Sequence, residues 1–294
     1  MHQDVVVMRA VTRSYGAQTA VNAVDLTLRA GECIGLVGHN GAGKSTLIKM
    51  MLGLVRPTSG GVLVLGEDPC TGVAARARRE LGYLPENVAL HPSLTGAETL
   101  SFYARLKGQP VARNGALLER VGIAAAAHRR VGTYSKGMRQ RLGLAQALLG
   151  DPRALLLDEP TTGLDPALRQ SFYEIIRDLR NNGAMVLLSS HALAELEGQI
   201  DRVVVMNRGK KVADGGIAEL RSLAAIQPRI RFRATAGDDN FSDWAAVPGG
   251  MLERSCRECD VTTILRSLPA SAQHIEILRP SLDELYAEFQ KGAA

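Results

Sequence analysis

Ile34-Gly35-Leu36-Val37-Gly38-His39-Asn40-Gly41-Ala42-Gly43-Lys44-Ser45-Thr46 is the stretch on which the reading of the whole chain turns. An apolar run, Ile34 to Val37, leads into Gly-x-x-x-x-Gly-Lys-Ser, and a helical pattern over 46–54 follows. Strand, glycine loop and helix in that order make a phosphate-binding loop. Gly38, Gly41 and Gly43 accept backbone torsions that a Cβ resists, so successive N–H groups can converge on phosphate oxygens. The helix N-terminus adds partial positive charge to the same anion. Lys44 is placed to reach the β- and γ-phosphates, and the Ser45 hydroxyl to ligate Mg²⁺. His39, Asn40, Ala42 and Thr46 belong to the same expected nucleotide-binding segment.

A second apolar strand, Ala154-Leu155-Leu156-Leu157, runs straight into Asp158-Glu159-Pro160. Placed after a phosphate loop, its first acid is expected to hold Mg²⁺ beside Ser45, and Glu159 to polarise the attacking water. Met185 to Leu188 is a further buried strand, and His191 follows at its C-terminal end, where open parallel sheets keep their ligand sites. An imidazole there suits a γ-phosphate contact, and an ordinary strand-end histidine explains the same position. Tyr15, within Arg13-Ser14-Tyr15-Gly16 ahead of the loop, offers a π-face on which adenine can stack.

The chain has 294 residues, 46% hydrophobic and 22% charged, the composition of a globular protein with room for one large domain and a small one. No apolar run approaches the roughly 18 residues of a membrane helix, and the first residues lack a secretory pattern. Cytoplasmic placement is therefore expected, with any membrane role exercised through a partner. Net charge is +5. From Arg105 to Arg141 the basic residues are Arg105, Lys107, Arg113, Arg120, Arg129, Arg130, Lys136, Arg139 and Arg141, relieved only by Glu119. Such a flank fits anionic lipid, nucleic acid or a solvated helical face. Of the cysteines Cys33, Cys70, Cys256 and Cys259, the last two form a single C-x-x-C, short of a structural zinc site.

Between these landmarks the pattern alternates. Strands are expected at Val5 to Met8, Val24 to Leu28 and Val62 to Leu65, and helices at 73–80, 97–106, 116–121, 136–149 and 167–181. Residues 202–206 and 210–214 form a hairpin across Asn207-Arg208-Gly209. After about Ser222 the composition shifts. Short strands are expected at 229–233, 261–265 and 275–278, then a helix over 282–290 with Ser281 as N-cap and Glu284 three residues on.

In their order and spacing these elements resemble the ATP-binding subunits of ATP-binding-cassette (ABC) transporters, over roughly residues 3 to 222. Beyond the loop, Asp158, Glu159 and His191, the resemblance assigns Glu86 to the Q-loop position, near Mg²⁺. It assigns Ser135, Lys136 and Gly137 to the signature motif, and Leu164-Asp165 to the D-loop. It implies an α/β P-loop NTPase cassette over 1–222: a mixed-sheet RecA-like core, an antiparallel β-subdomain and a helical lobe over about 88–150. Residues 223–294 form a small α+β appendage. It also implies ATP and Mg²⁺ as ligands, ATPase activity, and two cassettes closing head to tail on two ATP. A homodimer docked on an integral-membrane permease at the cytoplasmic face of a bacterial inner membrane follows. Nucleic acid is not an expected partner.

Two positions depart from the family pattern. Glu86 stands where glutamine is usual, adding negative charge beside phosphate. Tyr134-Ser135-Lys136-Gly137-Met138 stands where the family has Leu-Ser-Gly-Gly-Gln. Arg279 to Tyr286 resembles the C-terminal helix of ATPases serving six-helix export permeases. The stretches 82–87, 102–108 and 131–149 resemble the ATPases of nitrous-oxide reductase maturation complexes, which pass copper to a periplasmic partner. That implies copper delivery as the cargo, with drug or lipid export as the alternative and a soluble nucleic-acid-associated ABC protein as a lesser one.

Overall fold

The computed structural model describes residues 3–191, 196–224, 226–234 and 241–291. The chain divides into two compact units, residues 1–216 and 217–292. The boundary expected near Ser222 falls inside a helix, α7 below.

In the first unit, β1 (Asp4–Tyr15), β2 (Gln18–Arg29) and β4 (Ser59–Val64) form an antiparallel sheet in the order β2-β1-β4. β1 and β2 are far longer than their apolar cores suggested, because their outer residues face solvent and carry polar side chains. A six-stranded sheet carries β3 (Cys33–Val37), β5 (Leu81–Leu84), β6 (Ala154–Asp158), β7 (Met185–Ser190), β8 (Arg202–Asn207) and β9 (Lys210–Gly215). Its order is β5-β6-β7-β3-β8-β9, parallel except for the β8–β9 hairpin. Every residue of β3, β6 and β7 is buried, which explains why these strands read as unbroken apolar runs.

Helix α1 (Lys44–Met51) follows β3, and α2 (Ala75–Arg79) precedes β5. Between β5 and β6 lie α3 (Gly96–Leu106), α4 (Asn114–Arg120) and α5 (Lys136–Ala147), the expected helical lobe. A capping box starts α3: the Thr95 hydroxyl accepts from Glu98 N, and the Glu98 carboxylate accepts from Thr95 N at 2.8 Å. Lys107, just past α3, ties the lobe to the sheet by donating from Nζ to Leu81 O (2.8 Å) and Leu149 O (3.1 Å). Burial pushes its pKa down to about 8. Helix α6 (Pro166–Asn181) joins β6 to β7.

The second unit holds α7 (Ile217–Leu223), β10 (Arg229–Arg233), β11 (Ala245–Val247), β12 (Met251–Ser255), α8 (Val261–Ser267), β13 (Gln273–Leu278) and α9 (Leu282–Lys291). Its antiparallel sheet runs β11-β12-β10-β13. Here one expectation fails. Residues 261–265, read as a strand from their β-branched side chains, are helical. Val261 and Ile264, three apart, are both buried against Ile230 and Cys256, so packing with helical spacing overrides propensity. The N-cap of α9 is as expected: Ser281 Oγ accepts from Glu284 N at 3.2 Å and Glu284 Oε2 accepts from Ser281 N at 2.8 Å.

Candidate nucleotide-binding site

The carboxyl ends of β3, β6 and β7 lie side by side in the sheet, so the segments leaving them converge. β3 delivers the glycine loop. A Cβ on Gly38 would lie 2.7 Å from Met206 O, and one on Gly43, at φ +104°, would lie 2.5 Å from Ala20 O. Glycine at these two positions is a steric requirement. Gly43 hands directly into α1, whose first residue is Lys44.

Lys44 is buried, and its Nζ donates to Gly38 O at 2.6 Å while lying 3.8 Å from Glu159 Oε1. Burial pushes the ammonium's pKa down, and the carboxylates of Glu159, Asp158 and Glu86 push back. Asp158 ends β6, and its Oδ1 accepts from Ser189 Oγ at 2.5 Å. The same Ser189 oxygen accepts from Glu159 N at 3.0 Å. Glu159 therefore has its main chain pinned, in a left-handed conformation (φ +49°) that non-glycine residues seldom adopt. Its Oε2 lies 2.8 Å from His191 Nδ1. The carboxylate thus bridges a buried lysine and an imidazole whose side chain is 60% exposed.

The loop lines a cavity of about 430 Å³ that also takes in Tyr15, Gln18 and Arg208. Arg13 places its guanidinium carbon 4.4 Å from the centre of the Tyr15 ring, a cation–π contact that covers one face. His39 Nδ1 lies 2.7 Å from Asn40 O, and its Nε2 lies 3.1 Å from Asn207 Oδ1, tying the loop to the end of β8. Asn40, Ala42, Ser45 and Thr46 line the same cavity. Glu86 is exposed beyond the end of β5 and reaches the cluster only through its field on Lys44.

Ser135, Lys136, Gly137 and Asp165 do not line this cavity. Ser135 N-caps α5 by accepting from Met138 N at 3.2 Å, and Asp165 N-caps α6 by accepting from Leu168 N at 2.9 Å. Lys136 lies over Gly163, where an added Cβ would be 3.3 Å from its Nζ. Among the described residues nothing demands glycine at 137, where an added Cβ would make only ordinary contact with Leu168 at 3.7 Å. Tyr134, in place of the usual leucine, is buried and donates from its hydroxyl to Ala126 O at 2.6 Å. Tyr134→Phe should lower stability by roughly 0.5–1.5 kcal/mol in chemical denaturation, through one lost hydrogen bond to a carbonyl that still accepts from Arg129 N, and leave ATP affinity unchanged. An equal loss of affinity would place the hydroxyl in nucleotide binding instead.

Sequence reasoning passed over Arg13, Ser189 and Arg208. Cys256 is a core residue among Ile230, Val261 and Ile264, with its thiol pKa raised by burial, while Cys259 is exposed. Among the described residues no group of three or more His, Cys, Asp or Glu side chains is arranged to hold a metal.

A parallel-sheet core, a glycine loop opening a helix and an acid-bearing neighbouring strand define a P-loop nucleotide-binding protein. Comparison with known proteins agrees. The ABC transporter family profile matches residues 21–162. YhcH of Bacillus subtilis, an uncharacterized ABC transporter ATP-binding protein, is 41% identical over 212 residues, 71% of this chain and 69% of that one. Nod factor export ATP-binding protein I of Burkholderia lata is 41% identical over 211 residues, covering 70% and 69% of the two chains. The similarly described YdbJ of Bacillus subtilis is 38% identical across 99% of this chain and 96% of its own. A solved ATP-binding subunit of an ABC transporter superposes with a TM-score of 0.70 at 31% identity, over 74% of this chain and 92% of that one. The chain belongs to the ABC transporter ATP-binding family. It is accordingly an ATP-binding motor subunit with ATPase activity, of a kind that dimerises and works with transmembrane permease partners. Among the described residues no helix is long and apolar enough to cross a membrane.

Proposed function

We propose that this chain energises an exporter-type permease, and that Lys44, Asp158, Glu159 and His191 carry the hydrolysis. The carrying observation is the bridge made by Glu159, 3.8 Å from Lys44 Nζ and 2.8 Å from His191 Nδ1. In this reading Lys44 leaves Gly38 O for the β- and γ-phosphates of ATP, which supply the charge its buried site lacks. The loop from Gly38 to Thr46 donates its N–H groups to the same phosphates. Tyr15 stacks the adenine on the face Arg13 leaves open. Glu159 takes a proton from the attacking water, and His191 holds the γ-phosphate. Ser45 and Asp158 present the hard oxygens that suit Mg²⁺, with Glu86 beyond them, and the ion would neutralise charge on the phosphates when bound.

Ser135, Lys136 and Gly137 serve the partner's nucleotide. Gly137 has no steric reason among the described residues of its own chain, and a bare backbone at the start of α5 suits close approach by another molecule's phosphate. The site is therefore completed by a second copy, and loss of the γ-phosphate removes the contacts that hold the pair closed.

The permease docks on α3. Phe102 and Leu106, one turn apart, are 55% and 71% exposed and form an apolar pair on one face of that helix. Nod factor export relatives favour export as the task, carried out from the cytoplasmic face of a bacterial inner membrane. A second reading, copper delivery in nitrous-oxide reductase maturation with a periplasmic subunit contacted indirectly, draws on the stretches 82–87, 102–108 and 131–149. One experiment serves both. Tagged parent chain purified from membranes should bring down a multi-helix permease, and Phe102→Asp with Leu106→Asp should lose it while still binding ATP. Cargo that stimulates the purified complex separates the readings: copper ions for the second, an organic amphiphile for the first. Undiminished capture by the double variant would remove α3 as the docking face.

A further inference from the structure

Arg208 sits at the tip of the β8–β9 hairpin with φ +47°, followed by Gly209 at φ +78°. Two successive left-handed residues make the tight turn that hairpins favour, but its first position prefers Asn, Asp or Gly. An arginine there is strained, and strain kept at a surface turn points to a task.

The tip is fixed against the phosphate loop. Gly209 N donates to Ala42 O at 3.1 Å, Asn22 N donates to Gly209 O at 2.8 Å, and Asn207 meets His39 at 3.1 Å. Arg208 lines the same cavity as Tyr15, Gln18 and the loop. Its charge is uncommitted: among the described residues it makes no hydrogen bond or ion pair. The acid nearest in the hairpin is already taken, because Asp214 receives both Arg202 and Lys211. A rigidly placed, unpaired guanidinium at the rim of a phosphate cavity is a site for an anion.

A nucleotide stacked on Tyr15 with its terminal phosphates at Lys44 carries its ribose and α-phosphate across the span between them. The geometry points to Arg208 as a nucleotide-binding residue that pairs with the α-phosphate, an inference resting on the ATP site proposed above. It acts where ADP and ATP are alike, so it strengthens both equally and does not read the γ-phosphate.

The test is calorimetric titration of the full chain with ADP and with ATP, using R208G and R208K. Glycine relieves the positive φ, so R208G should melt at or above the parent temperature, which separates binding from folding. R208G should bind ADP and ATP more weakly by the same factor, roughly 5–20-fold, and R208K should recover part of the loss as a point charge. Affinities for both nucleotides within twofold of the parent in R208G would overturn the assignment. So would a loss confined to ATP. If the parent itself bound neither nucleotide, the underlying site would be wrong and Arg208 with it.

Discussion

Glu159→Gln should bind ATP as tightly as the parent chain and turn it over roughly 10²–10⁴-fold more slowly, the usual worth of a general base. The substitution keeps the side chain's size and leaves the main chain where Ser189 pins it, so the cavity stays intact. It removes the charge that faces Lys44 at 3.8 Å and His191 at 2.8 Å. In the proposed site Lys44 keeps the ATP phosphates as its counter-charge, so binding is expected to survive. Phosphate release under saturating Mg–ATP is the measurement. Turnover within a few-fold of the parent would take Glu159 out of the reaction and leave water or another group to activate the nucleophile.

Lys44→Ala should lose nucleotide affinity by roughly 10²-fold or more, since charge-assisted hydrogen bonds contribute about 1.5–3 kcal/mol each and the proposed site has this ammonium serve more than one phosphate. The effect on folding should be small. The ammonium is buried with its pKa lowered by desolvation, so its removal relieves a cost as well as deleting the bond to Gly38 O. Titration with ATP alongside a melting curve separates the two. An unchanged affinity would contradict the assignment of residues 38–46, and a collapsed melting curve would make the lysine structural.

The parts of the site that could be read in advance share one property: each is a local pattern with its own physical necessity. Gly43 must precede Lys44 because of its φ, and the apolar runs of β3, β6 and β7 must be continuous because both faces of those strands are covered. The cap of α9 was legible for the same reason, since Ser281 and Glu284 are spaced three apart. What escaped is carried by pairs distant in sequence. Ser189 beneath Asp158, Arg13 over Tyr15 and the hairpin tip against Ala42 depend on sheet order and strand register, which no short window holds. Residues 261–265 failed for a related reason. Their β-branched composition is a local preference, and the partners that reversed it, Ile230 and Cys256, come from elsewhere in the unit.

The same distinction bears on the two halves of the signature region. Ser135 was placed in the signature motif by resemblance, whereas its capping of α5, Tyr134 as a buried tether and Lys136 as a cover over Gly163 follow only from the structure. Glu86 is exposed, outside the hydrogen-bonded cluster of Asp158, Glu159 and Ser189 and the ion pair that Glu159 makes with Lys44. Its effect on Lys44 is electrostatic, and a field of that kind weakens with added salt.

The central proposal is that ATP joins two copies of the chain through a loop from one and a signature helix from the other. Sedimentation of Glu159→Gln with and without Mg–ATP measures this directly, because the slow variant holds the nucleotide intact. The mass should double when Mg–ATP is added and return to that of one chain when Lys44→Ala is combined with it. A variant that binds Mg–ATP in titration yet sediments as a single chain at every protein concentration would contradict it.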